Sequence, residues 1–147
     1  MRYFLLFFFI SSALYAQNIK ILDGDTIHIA KVKYRFHGID APEISQICKV
    51  NNKNVKCGEL SKQKLIEKIS NKKVNCKKIA IDRYKRVVAE CYVDDESLSK
   101  YLVKNGYAFA YRRYSKKFIE DENFAKKNKL GLWSMDFQYP WDFRRKK

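Results

Sequence analysis

Apolar and polar residues alternate with a period of two in the first third of the chain, then shift to helical spacing. Ile19 to Leu22 is a short apolar run, and Asp23-Gly24 after it is a strong signal for a tight hairpin turn. Thr26-Ile27-His28-Ile29 alternates, and so does Val32-Lys33-Tyr34-Arg35-Phe36. That alternation sets Lys33, Arg35 and His37 on one face of a strand and Val32, Tyr34 and Phe36 on the other. Three strands this close in sequence predict a meander. Residues 40 to 58 carry Pro42, Asn51, Asn52, Asn54 and Gly58 and read as a long loop, a length that usually signals function.

Helical spacing follows. Leu65, Ile66 and Ile69, with Leu60 a turn earlier, predict an amphipathic helix over Glu59 to Ser70. Val74 to Ile81 and Arg86 to Val93 read as two further strands joined through Asp82-Arg83-Tyr84-Lys85. Ser97 to Asn105 predicts a second helix stopped by Gly106. Ser115 to Lys129 predicts a third, with Ser115 as its N-cap and Gly131 after its end. Phe109, Tyr111, Tyr114 and Phe118 read mainly as core and helix packing. The order β-β-β-α-β-β-α-α predicts an α+β domain: a five-stranded OB-fold β-barrel with three packed helices.

The first sixteen residues stand apart. Arg2 precedes an apolar run from Tyr3 to Ile10, and Ser11-Ser12-Ala13-Leu14-Tyr15-Ala16 follows, the layout of a secretory signal peptide. The expected organisation is a signal peptide over 1–16, a folded domain over 17–135 and an aromatic, basic tail over 136–147. The expected location is therefore periplasmic or secreted, with no membrane insertion after cleavage; the rival readings of the segment are an uncleaved anchor and a buried apolar helix. The 147 residues include 31 Lys plus Arg against 16 Asp plus Glu, a formal charge of +15. Hydrophobic residues at 46% and aromatics at 15% exclude a disordered polycation, so the charge belongs to a folded protein with a polyanionic partner.

Cys48, Cys57, Cys76 and Cys91 form an even set, which in an exported chain suggests two disulfides. Three pairings are open, and local closure favours Cys48–Cys57 with Cys76–Cys91. The absence of any CxxC spacing, and of a histidine near a cysteine, speaks against a structural zinc site.

Three stretches carry more than turn chemistry: Asp23-Gly24-Asp25-Thr26, Arg35-Phe36-His37-Gly38-Ile39-Asp40-Ala41-Pro42-Glu43, and Asp82-Arg83-Tyr84-Lys85-Arg86. Taken singly, each also reads as an ordinary charged turn or loop. Together they supply what phosphodiester hydrolysis requires. Negative charge builds at phosphorus, and fixed cations must meet it. Arg35 and Arg86 each offer a planar fork of donors. Asp25 and Asp40 suit a hard divalent cation, and Glu43 suits activation of a water. His28 and His37 have no partners at ligand spacing and read as structural or surface groups.

The three stretches resemble the staphylococcal nuclease (thermonuclease) family, as do Leu102-Val103-Lys104-Asn105-Gly106-Tyr107-Ala108 and Gly131-Leu132-Trp133. The four cysteines, Tyr111-Arg112-Arg113-Tyr114-Ser115 and Pro140-Trp141 resemble a subset of exported bacterial members. The resemblance implies an OB-fold barrel and a calcium-dependent phosphodiesterase acting on DNA and RNA, leaving 3′-phosphate ends. It implies catalytic roles for Arg35, Glu43 and Arg86. It implies Ca2+ ligation by Asp25, Asp40 and the carbonyl of Ala41, and substrate contacts by Tyr84 and Tyr111. Lys85 departs from the family, which usually has glycine before the arginine. If the backbone there needs positive φ, lysine is disfavoured and the turn is re-routed; the alternative is that Lys85 adds a phosphate contact.

Two rival functions accompany this reading: a non-catalytic nucleic-acid-binding module on the same fold, and a cationic protein that binds envelope polymers. Neither requires Asp25, Asp40 and Glu43 to be grouped among arginines. Nothing in the chain suggests a coiled coil or an obligate protein partner, and a monomer is expected. The basic end Arg144-Arg145-Lys146-Lys147 reads as a frayed, solvated terminus.

Overall fold

Asp23 and Gly24 close the first hairpin. A computed structural model describes residues 17–146, so the leader assigned to 1–16 lies outside the described residues. Strands β1 (Ile19–Ile21) and β2 (Thr26–Ile29) pair antiparallel, with Ile21 opposite Ile27. The Asp23 carboxylate accepts the Asp25 backbone N–H at 3.0 Å, a side-chain turn that fixes where Asp25 emerges. Strand β3 (Val32–Phe36) continues the meander, with Arg35 opposite Thr26.

The segment expected to be a bare loop has structure of its own. Ile39–Asp40 forms β4, and Ile47–Val50 (β5) pairs with Lys53–Lys56 (β6) in a hairpin. Asn51 and Asn52 make its two-residue turn at φ 48° and 62°, both left-handed, as a type I′ hairpin requires. Gly38 also sits at positive φ, 73°, between β3 and β4. A Cβ there would lie 3.0 Å from Ser115 Cβ and 3.2 Å from the Phe118 ring.

Helix α1 (Cys57–Ile69) buries Cys57, Ser61, Leu65 and Ile69, every fourth residue. Ile66, expected on that stripe, is exposed instead. Strands β7 (Asn75–Ile81) and β8 (Val87–Val93) form a long antiparallel pair, and β9 (Glu96–Ser97) adds to β8. The sheet order β1-β2-β3-β8-β7 joins β3 to β8 in parallel, with Arg35 opposite Val88. Five strands in this order, curled around one core, match the expected barrel.

Helix α2 (Leu98–Lys104) is capped by Ser97, whose hydroxyl accepts the Lys100 N–H at 3.2 Å. Strand β10 (Phe109–Ala110) pairs with β4. Helix α3 (Ile119–Lys127) begins later than expected, because the Ser115 hydroxyl accepts the Lys117 N–H within a preceding turn rather than capping the helix. A 3-10 turn (Gly131–Ser134) and a short helix α4 (Pro140–Arg145) follow. Proline at the first helical position suits that start, since its missing N–H would have had no partner there.

Two apolar clusters result. The larger fills the barrel and its helix layer with Ile27, Phe36, Leu65, Ala89, Leu98, Leu102 and Phe118. The smaller surrounds Phe109 with Leu132, Trp133, Phe137, Tyr139 and Trp141. The tail is therefore packed against the barrel through its aromatic rings. The two disulfides are Cys48–Cys57 and Cys76–Cys91, as local closure favours. Cys76 and Cys91 face each other directly across β7 and β8. Among the described residues no helix is long and apolar enough to cross a membrane.

Candidate active site

Arg35 leaves β3 between two acidic residues from different turns. Its Nη1 lies 2.6 Å from Asp25 Oδ2, and its Nη2 donates to Asp40 Oδ1 at 2.9 Å. One guanidinium thus bridges two carboxylates that are themselves 7% and 1% exposed. Asp25 also accepts the Ala41 backbone N–H at 2.7 Å, which holds the Asp40-Ala41 backbone against the first hairpin. Burial pushes the Asp25 carboxyl well above the ordinary carboxylate range, against the opposing pull of Arg35, and the neighbouring Asp23 and Asp40 add to the rise. Burial also disfavours the Arg35 charge, but Asp25 and Asp40 outweigh it and hold the guanidinium firmly protonated.

Arg86 arrives from the β7–β8 turn. Asp82 organises that turn: its Oδ1 accepts the backbone N–H of Tyr84 at 2.9 Å and of Arg86 at 3.0 Å. Its Oδ2 accepts Arg86 Nε at 2.7 Å, which aims the side chain. Burial would raise the Asp82 carboxyl, but these hydrogen bonds prevail and hold it below the usual range. Lys85 takes φ 61°. The turn accepts lysine in the left-handed region rather than avoiding that conformation. Tyr84 is largely exposed and lies against the Arg86 guanidinium, 5.3 Å from its ring centroid.

Glu43 sits in the loop after β4, its carboxylate 39% exposed. Its backbone N–H donates to Gln46 Oε1 at 3.2 Å, and Gln46 Nε2 donates to the Gln138 carbonyl at 2.6 Å. The loop is thereby tied to the tail. A cavity of about 630 Å³ is lined by Asp25, Arg35, Asp40, Ala41, Glu43 and Arg86, and Tyr84 and Tyr111 reach its wall. Every candidate residue from the sequence thus borders one space. Tyr111 is less open than Tyr84: its ring stacks on Trp141 and meets Tyr114 edge-on.

Arg144 was not among those candidates. It reaches the same carboxylates from α4, and is not a free end. Nη1 donates to Glu43 Oε1 at 2.7 Å, and Nη2 donates to Asp40 Oδ2 at 2.6 Å. Burial lowers its proton affinity, but the bonds to Asp40 and Glu43 raise it further above the ordinary arginine range. The sequence held a partial signal, since Pro140 at a helix start, Asp142 and two closing arginines spell a short helix. Nothing local shows where Arg144 points.

Asp25 and Asp40 are buried oxygen donors of the kind a hard cation takes, and the guanidiniums of Arg35 and Arg144 now stand where its positive charge would be. Among the described residues no three His, Cys, Asp or Glu side chains form a metal cluster, so Asp25 and Asp40 are the side-chain donors on which a fit would rest.

The model of the family described as staphylococcal nuclease homologue matches residues 33–135. The chain belongs to the staphylococcal nuclease family. Among family relatives, an uncharacterized endonuclease of Haemophilus influenzae is 32% identical over 79% of this chain and 64% of its own length. A rice protein named probable staphylococcal-like nuclease CAN3 is 31% identical over 82% of this chain and 30% of its own length. The probable endonuclease LCL3 of Komagataella phaffii is 31% identical over 78% of this chain and 52% of its own length. The chain thus spans less than two thirds of each of these relatives. The motif-bearing stretch from Arg35 to Arg86 lies inside the segment that matches the family.

Proposed function

We propose that this staphylococcal nuclease family member is a calcium-dependent phosphodiesterase that cleaves DNA and RNA with little sequence preference. The observation that carries the reading is the convergence of Arg35, Arg86 and Glu43 on one cavity beside buried Asp25 and Asp40. The relatives named as nucleases and endonucleases support the same reaction class. The chain would act as a monomer outside the cytoplasm, a setting in which two disulfides persist.

Asp25 and Asp40, with the Ala41 carbonyl, would hold the cation. When bound, it supplies positive charge against a phosphate oxygen. Arg35 and Arg86 donate to the oxygens of the phosphate and strengthen as charge grows at phosphorus. Glu43 accepts a proton from water as the water oxygen bonds to phosphorus. The bond from phosphorus to the 5′ oxygen breaks and that oxygen takes up a proton from solvent, which leaves a 3′-phosphate end and a 5′-hydroxyl end. Tyr84 and Tyr111 would line the path of the strand, where aromatic contact tolerates any base.

The test is digestion of plasmid DNA and of RNA by the refolded chain lacking residues 1–16, with calcium and with excess chelator. Cleavage with calcium alone supports the proposal. Binding without cleavage would favour the non-catalytic module, and full activity in chelator would remove the cation dependence.

A further inference from the structure

Asp40 has both carboxylate oxygens engaged by arginine. Oδ1 accepts Arg35 Nη2 at 2.9 Å and Arg144 Nη1 at 3.2 Å, and Oδ2 accepts Arg144 Nη2 at 2.6 Å. Arg144 Nη1 holds Glu43 Oε1 at 2.7 Å as well. The Arg144 guanidinium therefore bridges an expected cation ligand and the expected water-activating acid. A carboxylate lone pair directed at a guanidinium is unavailable to a dication, and two positive charges in contact repel.

Arg144 is also built to let go. Its side chain is 40% exposed, while its Asp40 partner is 1% exposed. Helix α4 has anchorage besides Arg144, because Trp141 stacks on Tyr111 with centroids 5.5 Å apart and meets Phe109 edge-on at 6.2 Å. The arginine can swing out while the helix stays docked.

We propose that Arg144 is an internal competitor for the cation. It occupies Asp40 and Glu43 in the cation-free chain and yields both when calcium binds. The idea rests on the calcium reading above and adds a property of this chain's own tail. Cation affinity is then the intrinsic affinity reduced by the fraction of molecules in which Arg144 has left. If that fraction is about one in ten, the apparent dissociation constant rises about tenfold. Glu43 Oε1 is likewise held by the arginine until it departs, so the acid is ion-paired in the cation-free chain.

Calorimetric titration of calcium into the folded chain and into Arg144→Gln tests this without reference to cleavage. The expected result is about five- to tenfold tighter binding by Arg144→Gln. Arg144→Lys, which keeps the charge but not the two-pronged contact, should fall between the two. It also gives a second reading if the glutamine variant folds poorly. Arg145→Gln is the control: it removes the same charge from the same helix, where Arg145 pairs with Asp142 instead. Equal affinity in wild type and Arg144→Gln, or weaker binding in the variant, overturns the proposal. So does an equal gain in Arg145→Gln, which would reduce the effect to overall charge. Absence of calcium binding by all four proteins overturns the calcium reading itself, and the competitor with it.

Discussion

The indole of Trp141 lies parallel to the ring of Tyr111, with 1° between their planes and 5.5 Å between centroids. This stack ties α4 to the segment that leaves β10, and so carries Arg144 to the acidic residues. Offset aromatic pairs add to the area they bury. Trp141→Ala should cost about 2 kcal/mol, less than a fully buried aromatic because the indole is only partly covered. Urea denaturation followed by circular dichroism measures it. An unchanged midpoint would mean that the tail is held by other contacts.

Arg35 carries two separable burdens. Arg35→Lys keeps a charge between Asp25 and Asp40 but loses the bridging fork, so cleavage should fall about 10²–10³-fold while the fold persists. Arg35→Met leaves two buried carboxylates facing each other and should destabilise the cation-free chain by about 3 kcal/mol. Thermal melts with and without calcium separate the effects, since the ion should restore part of the methionine variant's loss.

Glu43→Gln keeps the shape and the backbone bond to Gln46 but removes the basicity. Cleavage should drop about 10²–10⁴-fold with substrate binding largely kept. Single-turnover kinetics decide it. A variant within a few-fold of wild type would make Glu43 a loop-ordering residue and shift preference to a metal-bound water.

The two disulfides should differ in what they protect. Cys76–Cys91 closes 15 residues within the main sheet, and its removal should cost about 3 kcal/mol of stability. Cys48–Cys57 borders the start of α1, where the Glu43 backbone packs against Gly58. Its removal should lower cleavage more than its share of stability. Paired alanine variants, assayed for both melting and turnover, test the contrast.

Lys85 at φ 61° occupies a conformation that favours glycine. Lys85→Gly should raise stability by about 1 kcal/mol through relief of that strain. The aim of Arg86 should be unchanged, because Asp82 sets it. A destabilised Lys85→Gly chain would mean that the lysine side chain holds the turn.

Periodicity and turn chemistry make local order readable, the family motifs make the meeting of Arg35 with Arg86 readable, and the reach of Arg144 is legible in neither. The alternation of Thr26 to Phe36 and the Asp23-Gly24 turn led directly to the meander and to the face that carries Arg35. The β5–β6 hairpin escaped the same reading although its signal was present. Ile47-Cys48-Lys49-Val50 and Lys53-Asn54-Val55-Lys56 flank Asn51-Asn52, a pair suited to left-handed turns. The density of asparagines there reads first as loop. Ser115 has the side chain of an N-cap, yet its hydroxyl serves a turn and the buried Phe118 takes the cap position. Arg144 meets Asp40 across 104 residues of sequence, and no periodicity carries information over that distance.

The parallel pairing of β3 with β8 has a kinetic consequence. Antiparallel neighbours form through short turns, but these two strands meet only after α1 and β7 have been traversed, with Arg35 opposite Val88. Closing so long a stretch is among the slower events in folding, since chain entropy is lost before the contact repays it. Arg35 and Arg86 stand on either side of that seam. Neither half of the chain holds both arginines, so under the proposed function a partly folded molecule would lack the phosphate clamp, and cleaving ability is expected to emerge together with barrel closure rather than ahead of it.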